Sequence, residues 1–174
     1  MVNSSGTIGI VVGNPKPRSR TREVAEAVAD AAAGAVGLDG TERVTVDLAD
    51  LGALLFDWSS IQVREAVDAI RGCRVVVVAS PTFKASYTGL LKSFLDWFGT
   101  TDLRGVTAIP VMVGAGPHHA LAVEVHLRPV LVEIGATLPT RGLYVTEPQL
   151  GSLDVVVAEW IAEAGPSLRA ATGT

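Results

Sequence analysis

The 174-residue sequence has only one cysteine and no long apolar run. Cys73 cannot form an internal disulfide, which excludes a disulfide-stapled secreted domain and suits a reducing compartment. No stretch approaches the ~18 consecutive apolar residues of a membrane-spanning helix, and the first residues lack the basic and apolar regions of a signal peptide. We therefore expect a cytoplasmic protein with no membrane partner, in which Cys73 is a packing residue rather than a nucleophile.

Basic clusters and sets of metal ligands are also missing. The formal net charge is −4 and only three lysines are present, whereas nucleic-acid binding normally leaves a basic footprint. His118 and His119 are adjacent, and adjacent residues rarely ligate one ion well. No carboxylates or thiols accompany them at ligand spacing. We expect neither a nucleic-acid partner nor a metal.

Strand patterns and helical patterns alternate along the chain. Strands are predicted over 7–13, 43–48, 74–79, 106–113 and 138–145, and helices over 21–36, 61–71, 86–98, 118–134 and 152–164. Pro129 interrupts the fourth helix, and Gly165-Pro166 is predicted to end the fifth. Such alternation predicts an α/β fold of three layers, in which helices cover both faces of a five-stranded parallel sheet. The expected strand order is the flavodoxin-like 2-1-3-4-5.

At this length one domain over residues 1–174 is the natural expectation. Residues 1–5 and 166–174 are predicted to be flexible. The longest irregular connection, 50–60, carries apolar side chains, among them Phe56 and Trp58. These side chains can cover a site, form a subunit contact or simply pack; Trp97 is another candidate for a subunit contact.

The run 81–98, PTFKASYTGLLKSFLDWF, follows the third predicted strand. Its second half has a helical apolar stripe through Tyr87, Leu91 and Phe98. Its first half is small and polar, and lies where a parallel sheet binds ligands, beyond the carboxyl end of a strand. A loop of this composition can flank a flat polar ring.

The loop after the first strand, 14–21, leads into a helix and carries hydroxyl and guanidinium groups. A helix start offers unpaired N–H groups to an anion. The loop matches neither the dinucleotide pattern G-x-G-x-x-G nor the nucleotide pattern G-x-x-x-x-G-K-S/T. A terminal monophosphate fits it best, and an ordinary capped turn is the alternative. The two loops together predict a flavin enzyme.

Three segments resemble the NAD(P)H-dependent FMN reductase family, and most closely the reductases that supply reduced FMN to sulfonate monooxygenases. The family's phosphate loop, G-S-P-R…S-x-S/T, corresponds to GNPKPRSRT at 13–21, and its ring loop corresponds to PTFKASYTGLLK at 81–92. Its glycine-rich loop leading into H-x-L-A-V corresponds to GAGPHHALAV at 114–123. Asn14 and Lys16 depart from the family's Ser and Arg, and Phe83 from its common Tyr.

The resemblance implies FMN and a nicotinamide donor, NADPH or NADH, as cofactors, with direct hydride transfer and no obligatory catalytic acid or base. The residues it implies for the phosphate are Asn14, Arg18, Ser19, Arg20 and Thr21. Those it implies for the flavin ring are Pro81, Thr82, Phe83, Lys84, Ala85 and Ser86. Those it implies for the other ring edge are Gly114, Ala115, Gly116 and Pro117.

The resemblance further implies a homodimer or homotetramer, and a flavin-dependent monooxygenase as acceptor of the reduced flavin. Sulfonate-linked members carry a π-bulge at a tetramer interface, which here would fall near Val125 or His126. Two alternatives remain open: a quinone or azo reductase that holds FMN tightly, and a flavodoxin-like electron carrier. A net charge of −4 is modest for such carriers. The sequence leaves the choice between NADH and NADPH open.

Overall fold

The computed structural model describes residues 6–174, so the expectation of flexibility for residues 1–5 lies outside the described part. The strands are β1 (Ile8–Val12), β2 (Arg43–Asp47), β3 (Val75–Pro81), β4 (Thr107–Gly114) and β5 (Leu143–Thr146). The longer helices are α1 (Arg20–Ala35), α2 (Ile61–Arg71), α3 (Gly89–Leu95), α4 (Arg128–Glu133) and α5 (Leu153–Thr172). Short 3₁₀ segments span Gly52–Phe56, Pro117–His119 and Glu147–Ser152, and a π-helical segment spans Val123–Leu127.

The five strands form one parallel sheet in the order β2-β1-β3-β4-β5. The predicted fold class and strand order are therefore confirmed. Every residue of β1, β3 and β4 is buried, as expected for central strands covered on both faces. Separate apolar cores fill the two layers, one against α1 and α5 and the other against α2, α3 and α4. Among residues 6–174, no helix is long and apolar enough to cross a membrane.

The third helix is shorter than predicted. It begins at Gly89 rather than at 86, because the Thr88 hydroxyl accepts a hydrogen bond from the amide of Leu91 and caps the helix there. It ends at Leu95, ahead of the predicted end at 98. Leu91 and Phe98 of the predicted stripe are buried in the core, so the apolar stripe was correct although the helix bounds were wrong.

The fifth strand begins at Leu143 rather than at 138. Side chains bond the backbone of the preceding residues and keep it out of the ladder. The Arg128 guanidinium donates to the carbonyls of Leu138 and Thr140, and the Glu124 carboxylate accepts from the amide of Gly142. The prediction that the strand begins at 138 is therefore wrong.

The last helix continues through Pro166 to Thr172, so the predicted end at Gly165-Pro166 is wrong. Residues 166–172, for which flexibility was expected, lie within this helix. A proline inside a helix removes one hydrogen bond. Here packing outweighs that loss: Leu168 is fully buried. Arg74 also donates to the carbonyl of Thr172, which holds the final turn against the sheet.

The predicted helix 118–134 is broken into three segments. The amide of Arg128 donates to the carbonyl of Val123, five residues back, which is the π-helical pattern. Pro129 follows in the first turn of α4, where its missing N–H is tolerated. Val125 and His126 lie inside the π-helical segment, so the structure has a π-helical turn at the place where the family resemblance put it.

Candidate functional site

A cleft of about 440 Å³ opens at the carboxyl ends of the strands, between the loops that follow β1, β3 and β4. The structure brings ten of the predicted site residues together in its lining: Asn14, Arg18, Ser19, Arg20, Thr21, Pro81, Thr82, Phe83, Gly114 and Ala115. It does not place Lys84, Ala85, Ser86, Gly116 or Pro117 in that lining. Five further residues line the cleft that were not among the predicted site residues: Pro15, Lys16, Glu23, Val113 and Glu147.

Asn14 organises the first loop through its own amide group. Its Nδ2 donates to Thr21 Oγ1 at 3.0 Å, and its Oδ1 accepts from the amide of Lys16 at 2.9 Å. Ser19 caps α1 by accepting from the amide of Arg22 at 3.3 Å. The Ser19 and Thr21 oxygens accept these bonds, and neither hydroxyl donates a hydrogen bond to another group among residues 6–174. Both hydroxyls can therefore donate to an anion. The first turn of α1 adds amides that have no intrahelical partner.

The loop after β3 is a tight turn. Phe83 and Ser86 exchange two backbone hydrogen bonds of 2.8 and 3.1 Å. Lys84 and Ala85 between them have φ values of 50° and 66°, the positive pair of a type I′ turn. The turn carries Lys84 and Ala85 out of the cleft lining, while Phe83 stays in it and is 52% exposed.

Backbone strain coincides with the cleft loops. Among residues 6–174, Arg18, Lys84 and Ala85 are the non-glycine residues with positive φ. Such a conformation costs an L-residue of order 1–3 kcal/mol, and it is typically retained at ligand-binding sites. All three lie in the two loops that the sequence singled out.

Thr88 fastens the first two loops to each other. Its hydroxyl donates to the carbonyl of Gly13 at 2.6 Å, and its amide donates to Ser80 Oγ at 3.0 Å. Thr88 and Ser80 are buried. Sequence reasoning gave neither residue this role. A threonine just before an apolar helical run was a readable cap signal, but the contact with Gly13 spans 75 residues and was not readable.

Because Gly114 has no side chain, the Tyr144 side chain can pack against its backbone. A Cβ at position 114 would lie 1.9 Å from the Tyr144 hydroxyl oxygen. That hydroxyl donates to the carbonyl of Gly116 at 3.1 Å and so holds the third loop. Gly116 therefore contributes through backbone support rather than by lining the cleft.

Thr82 Oγ1 is buried and has no hydrogen-bond partner among residues 6–174. It lies 3.3 Å from the position of a Cβ on Gly114. A buried hydroxyl without a partner costs about 1–3 kcal/mol, and a polar ligand edge beside it would remove that cost. Together with the anion-binding end of the cleft, this hydroxyl fits a ligand that has a polar ring at one end and a phosphate at the other, as FMN has.

Charges of both signs line the cleft. Lys16, Arg18 and Arg20 supply cations, and Glu23 and Glu147 supply carboxylates. Arg20 Nη2 and Glu147 Oε1 form an ion pair of 2.9 Å. The signal that could have identified Glu147 is its position directly after β5, at the same edge of the sheet as the predicted loops.

Neither Cys73 nor the exposed Trp58 lines the cleft. Burial raises the pKa of the Cys73 thiol to about 11, and the thiol donates to the carbonyl of Ala69. This agrees with its interpretation as a packing residue. The Trp58 ring packs against Trp97, with ring centroids 4.7 Å apart, and Trp97 Nε1 donates to the carbonyl of Leu55.

Comparison with known proteins agrees with a cleft that fits FMN. The family model described as NADPH-dependent FMN reductase matches residues 7–149. The chain is 34% identical over 93 residues to an NADH-dependent FMN reductase, SfnF, from Pseudomonas putida, covering 53% of this chain and 50% of that protein. It is 28% identical over 161 residues to an FMN reductase (NADPH) from Pseudomonas aeruginosa, covering 90% and 84%.

Comparison with solved structures also gives a match over most of the chain. The apo structure of an NADH:FMN oxidoreductase (EMOB) superposes with a TM-score of 0.72 and 32% identity, covering 90% of this chain and 89% of that one. In contrast, the chain spans about half the length of the first curated relative, 50% for SfnF. The names of these relatives differ in the donor, NADH or NADPH.

Proposed function

The chain belongs to the NADPH-dependent FMN reductase family, and we propose that it transfers a hydride from NADPH or NADH to FMN held in the cleft. The observation that carries this proposal is the meeting of the three loops at one cleft with the unpartnered Thr82 hydroxyl inside it. A phosphate-binding helix start alone would suit many anions. A buried polar group beside a small-residue loop adds the recognition of a flat polar ring.

In the proposed complex the two ends of the cleft have separate tasks. The hydroxyls of Ser19 and Thr21, the guanidinium of Arg18 and the first amides of α1 bind the phosphate. Pro81, Thr82 and Phe83 flank the ring, and Gly114 and Ala115 lie along its other edge. Thr82 Oγ1 donates to, or accepts from, a polar atom of that edge. Asn14, Thr88 and Tyr144 hold the three loops in place.

Bound FMN supplies the hydride-accepting ring of the reaction. The protein's contribution is to hold two flat rings face to face at reacting distance. Phe83, half exposed at the cleft rim, is positioned to contact the incoming nicotinamide. We assign no side chain as catalytic acid or base, because a hydride transfer moves no proton through the protein.

We further propose that the reduced FMN leaves the enzyme for a flavin-dependent monooxygenase and that the chain works as a homodimer or homotetramer. Exposed apolar side chains support the second part: Phe56, Trp58, Leu121 and Val125 are between 57% and 72% exposed. Light scattering that gives the mass of a monomer at all protein concentrations would contradict it.

The test of the reductase proposal is oxidation of NADH and NADPH with and without added FMN. Oxidation that rises and saturates with FMN is the expected result. A yellow protein whose rate ignores added FMN but rises with quinone or azo dye would instead favour the bound-flavin reductase. Failure to oxidise either donor in the presence of FMN would contradict the proposal and favour an electron carrier.

A further inference from the structure

The ion pair between Arg20 and Glu147 crosses the proposed phosphate end of the cleft. Both residues line the cleft, and they come from opposite ends of the chain. Arg20 is the first residue of α1, whose start is the anion-binding element, and Glu147 follows β5. Their side chains are 61% and 46% exposed. The pair therefore places a carboxylate where a flavin phosphate is expected to arrive.

The backbone around Glu147 is fixed. Thr146 caps the 3₁₀ segment Glu147–Ser152, with the Gln149 side chain accepting from the Thr146 amide and hydroxyl at 2.8 Å each. Pro148 fixes its own φ and restricts the backbone of Glu147 before it. In the sheet, Thr146 is aligned with Gly114, so Glu147 lies beside the third loop of the cleft. Glu147 is therefore built into the site and does not belong to a free loop.

We propose that Glu147 sets the affinity for FMN by competing with the flavin phosphate for Arg20. This inference rests on the proposed function. Without a ligand, the carboxylate holds the guanidinium. When FMN binds, its phosphate, which carries about two negative charges, takes Arg20 and meets the repulsion of the displaced carboxylate. Bound FMN then exchanges readily with FMN in solution. Such exchange is required of a flavin reductase that releases its product.

The strength of the pair is suited to competition. Ion pairs this exposed are weak and are screened by salt, so a phosphate with hydroxyl and amide partners can displace the carboxylate. Lys16 and Arg18 have no ion-pair partner in the described part of the chain and stay available to the phosphate. Arg20 is thus the cleft cation whose availability depends on a neighbouring acid.

The test is flavin binding by the full chain, followed through the fluorescence of FMN and of riboflavin in separate titrations. Glu147→Gln is expected to bind FMN about three- to tenfold more tightly than wild type and to leave riboflavin binding unchanged. The gain should shrink as salt is raised. Glu147→Asp keeps the charge and should stay near wild type. Glu163→Gln is the matched control, because Glu163 is paired with Arg141 at 3.0 Å on an exposed surface outside the cleft.

Unchanged or weaker FMN binding in Glu147→Gln would overturn the inference. An equal gain for riboflavin would also overturn it, since the effect would then fall on the ring. A similar gain in Glu163→Gln would trace the effect to net charge alone and overturn it too. These titrations contain no nicotinamide. A wild-type protein that binds FMN but oxidises neither donor would therefore contradict the proposed function. The effect of Glu147 on FMN binding could still be interpreted in that case.

Discussion

Thr82 and Thr140 form a matched pair of residues. Each has a buried Oγ1 without a hydrogen-bond partner in the part of the chain that the structure describes. Thr82 lines the cleft at the carboxyl ends of the strands. Thr140 precedes β5 and lines a separate cavity of about 210 Å³ beside α5. The same chemical change at the two sites therefore separates the effect on folding from the effect on ligand binding.

We expect Thr82→Val to stabilise the protein without flavin by up to about 1 kcal/mol, since it removes a buried hydroxyl that has no partner. The same change should weaken FMN binding several-fold. Thr140→Val should give the first effect without the second. Urea denaturation and flavin titration measure the two quantities. If Thr82→Val binds FMN as wild type does, the hydroxyl does not contact the flavin.

Among single residues, the sequence could place those whose signals come from their neighbours in the chain. Ser19 precedes a helical pattern, and Thr82 follows a buried strand, so each could be placed from its neighbours. Glu147 could be assigned only to this edge of the sheet, from its position directly after β5. The contacts of Tyr144 with Gly116 and of Glu147 with Arg20 span 28 and 127 residues. Nothing near Tyr144 or Glu147 in the sequence identifies these partners.

Among the elements, the π-helical segment Val123–Leu127 is tied to the start of β5 through Glu124. Its carboxylate accepts from the amide of Gly142 at 2.6 Å and pairs with Arg128. Burial opposes ionisation of Glu124, but the hydrogen bonds from Arg128 and Gly142 outweigh it, so that the pKa of Glu124 is lowered. Glu124 therefore stabilises the fold in its charged form.

The lowered pKa gives a pH dependence of known sign. A carboxyl with a lowered folded pKa contributes stability above its ordinary value, 4.5, and loses it as the pH falls through the folded value. We expect Glu124→Gln to lower the free energy of unfolding by about 1–2 kcal/mol near neutral pH. The difference in free energy of unfolding between wild type and Glu124→Gln should become smaller as the pH falls through the folded pKa of Glu124.

The control for this measurement is Glu163→Gln, whose exposed pair is worth under about 1 kcal/mol. Urea denaturation across the acid range measures both variants. A difference for Glu124→Gln that stays constant as the pH falls would contradict the role given to the charge.

The last helix shows why a local stop signal can fail. Gly165-Pro166 resembles a helix end, yet Leu168 lies beyond it and is fully buried, whereas Val155 in the same helix is 51% exposed. We expect Leu168→Ala to cost about 2–5 kcal/mol of stability and Val155→Ala to stay within about 0.5 kcal/mol. Thermal or urea unfolding measures both. A small loss for Leu168→Ala would mean that the helix beyond Pro166 does not stabilise the core.

For the whole molecule, the sheet order was predictable because the alternation of strands and helices leaves few arrangements of a parallel sheet. The three loops then had to meet, since β1, β3 and β4 are neighbours and end at the same edge. The bounds of strands and helices were less predictable where a side chain forms hydrogen bonds with the backbone, as Arg128 does before β5. For the π-helical turn, the resemblance indicated only the position where such a turn would fall, and its existence was left open until the structure showed it.

We propose that the cleft binds FMN by both its phosphate and its ring and reduces it. Steady-state oxidation of NADH and NADPH by the wild-type protein, with FMN and riboflavin as rival acceptors, tests both parts of this proposal. We expect saturation with each flavin and a kcat/KM at least tenfold higher for FMN, because two or more charge-assisted hydrogen bonds at about 1.5–3 kcal/mol each would be lost with the phosphate. Equal kcat/KM values for the two flavins, or no oxidation with either, would contradict it.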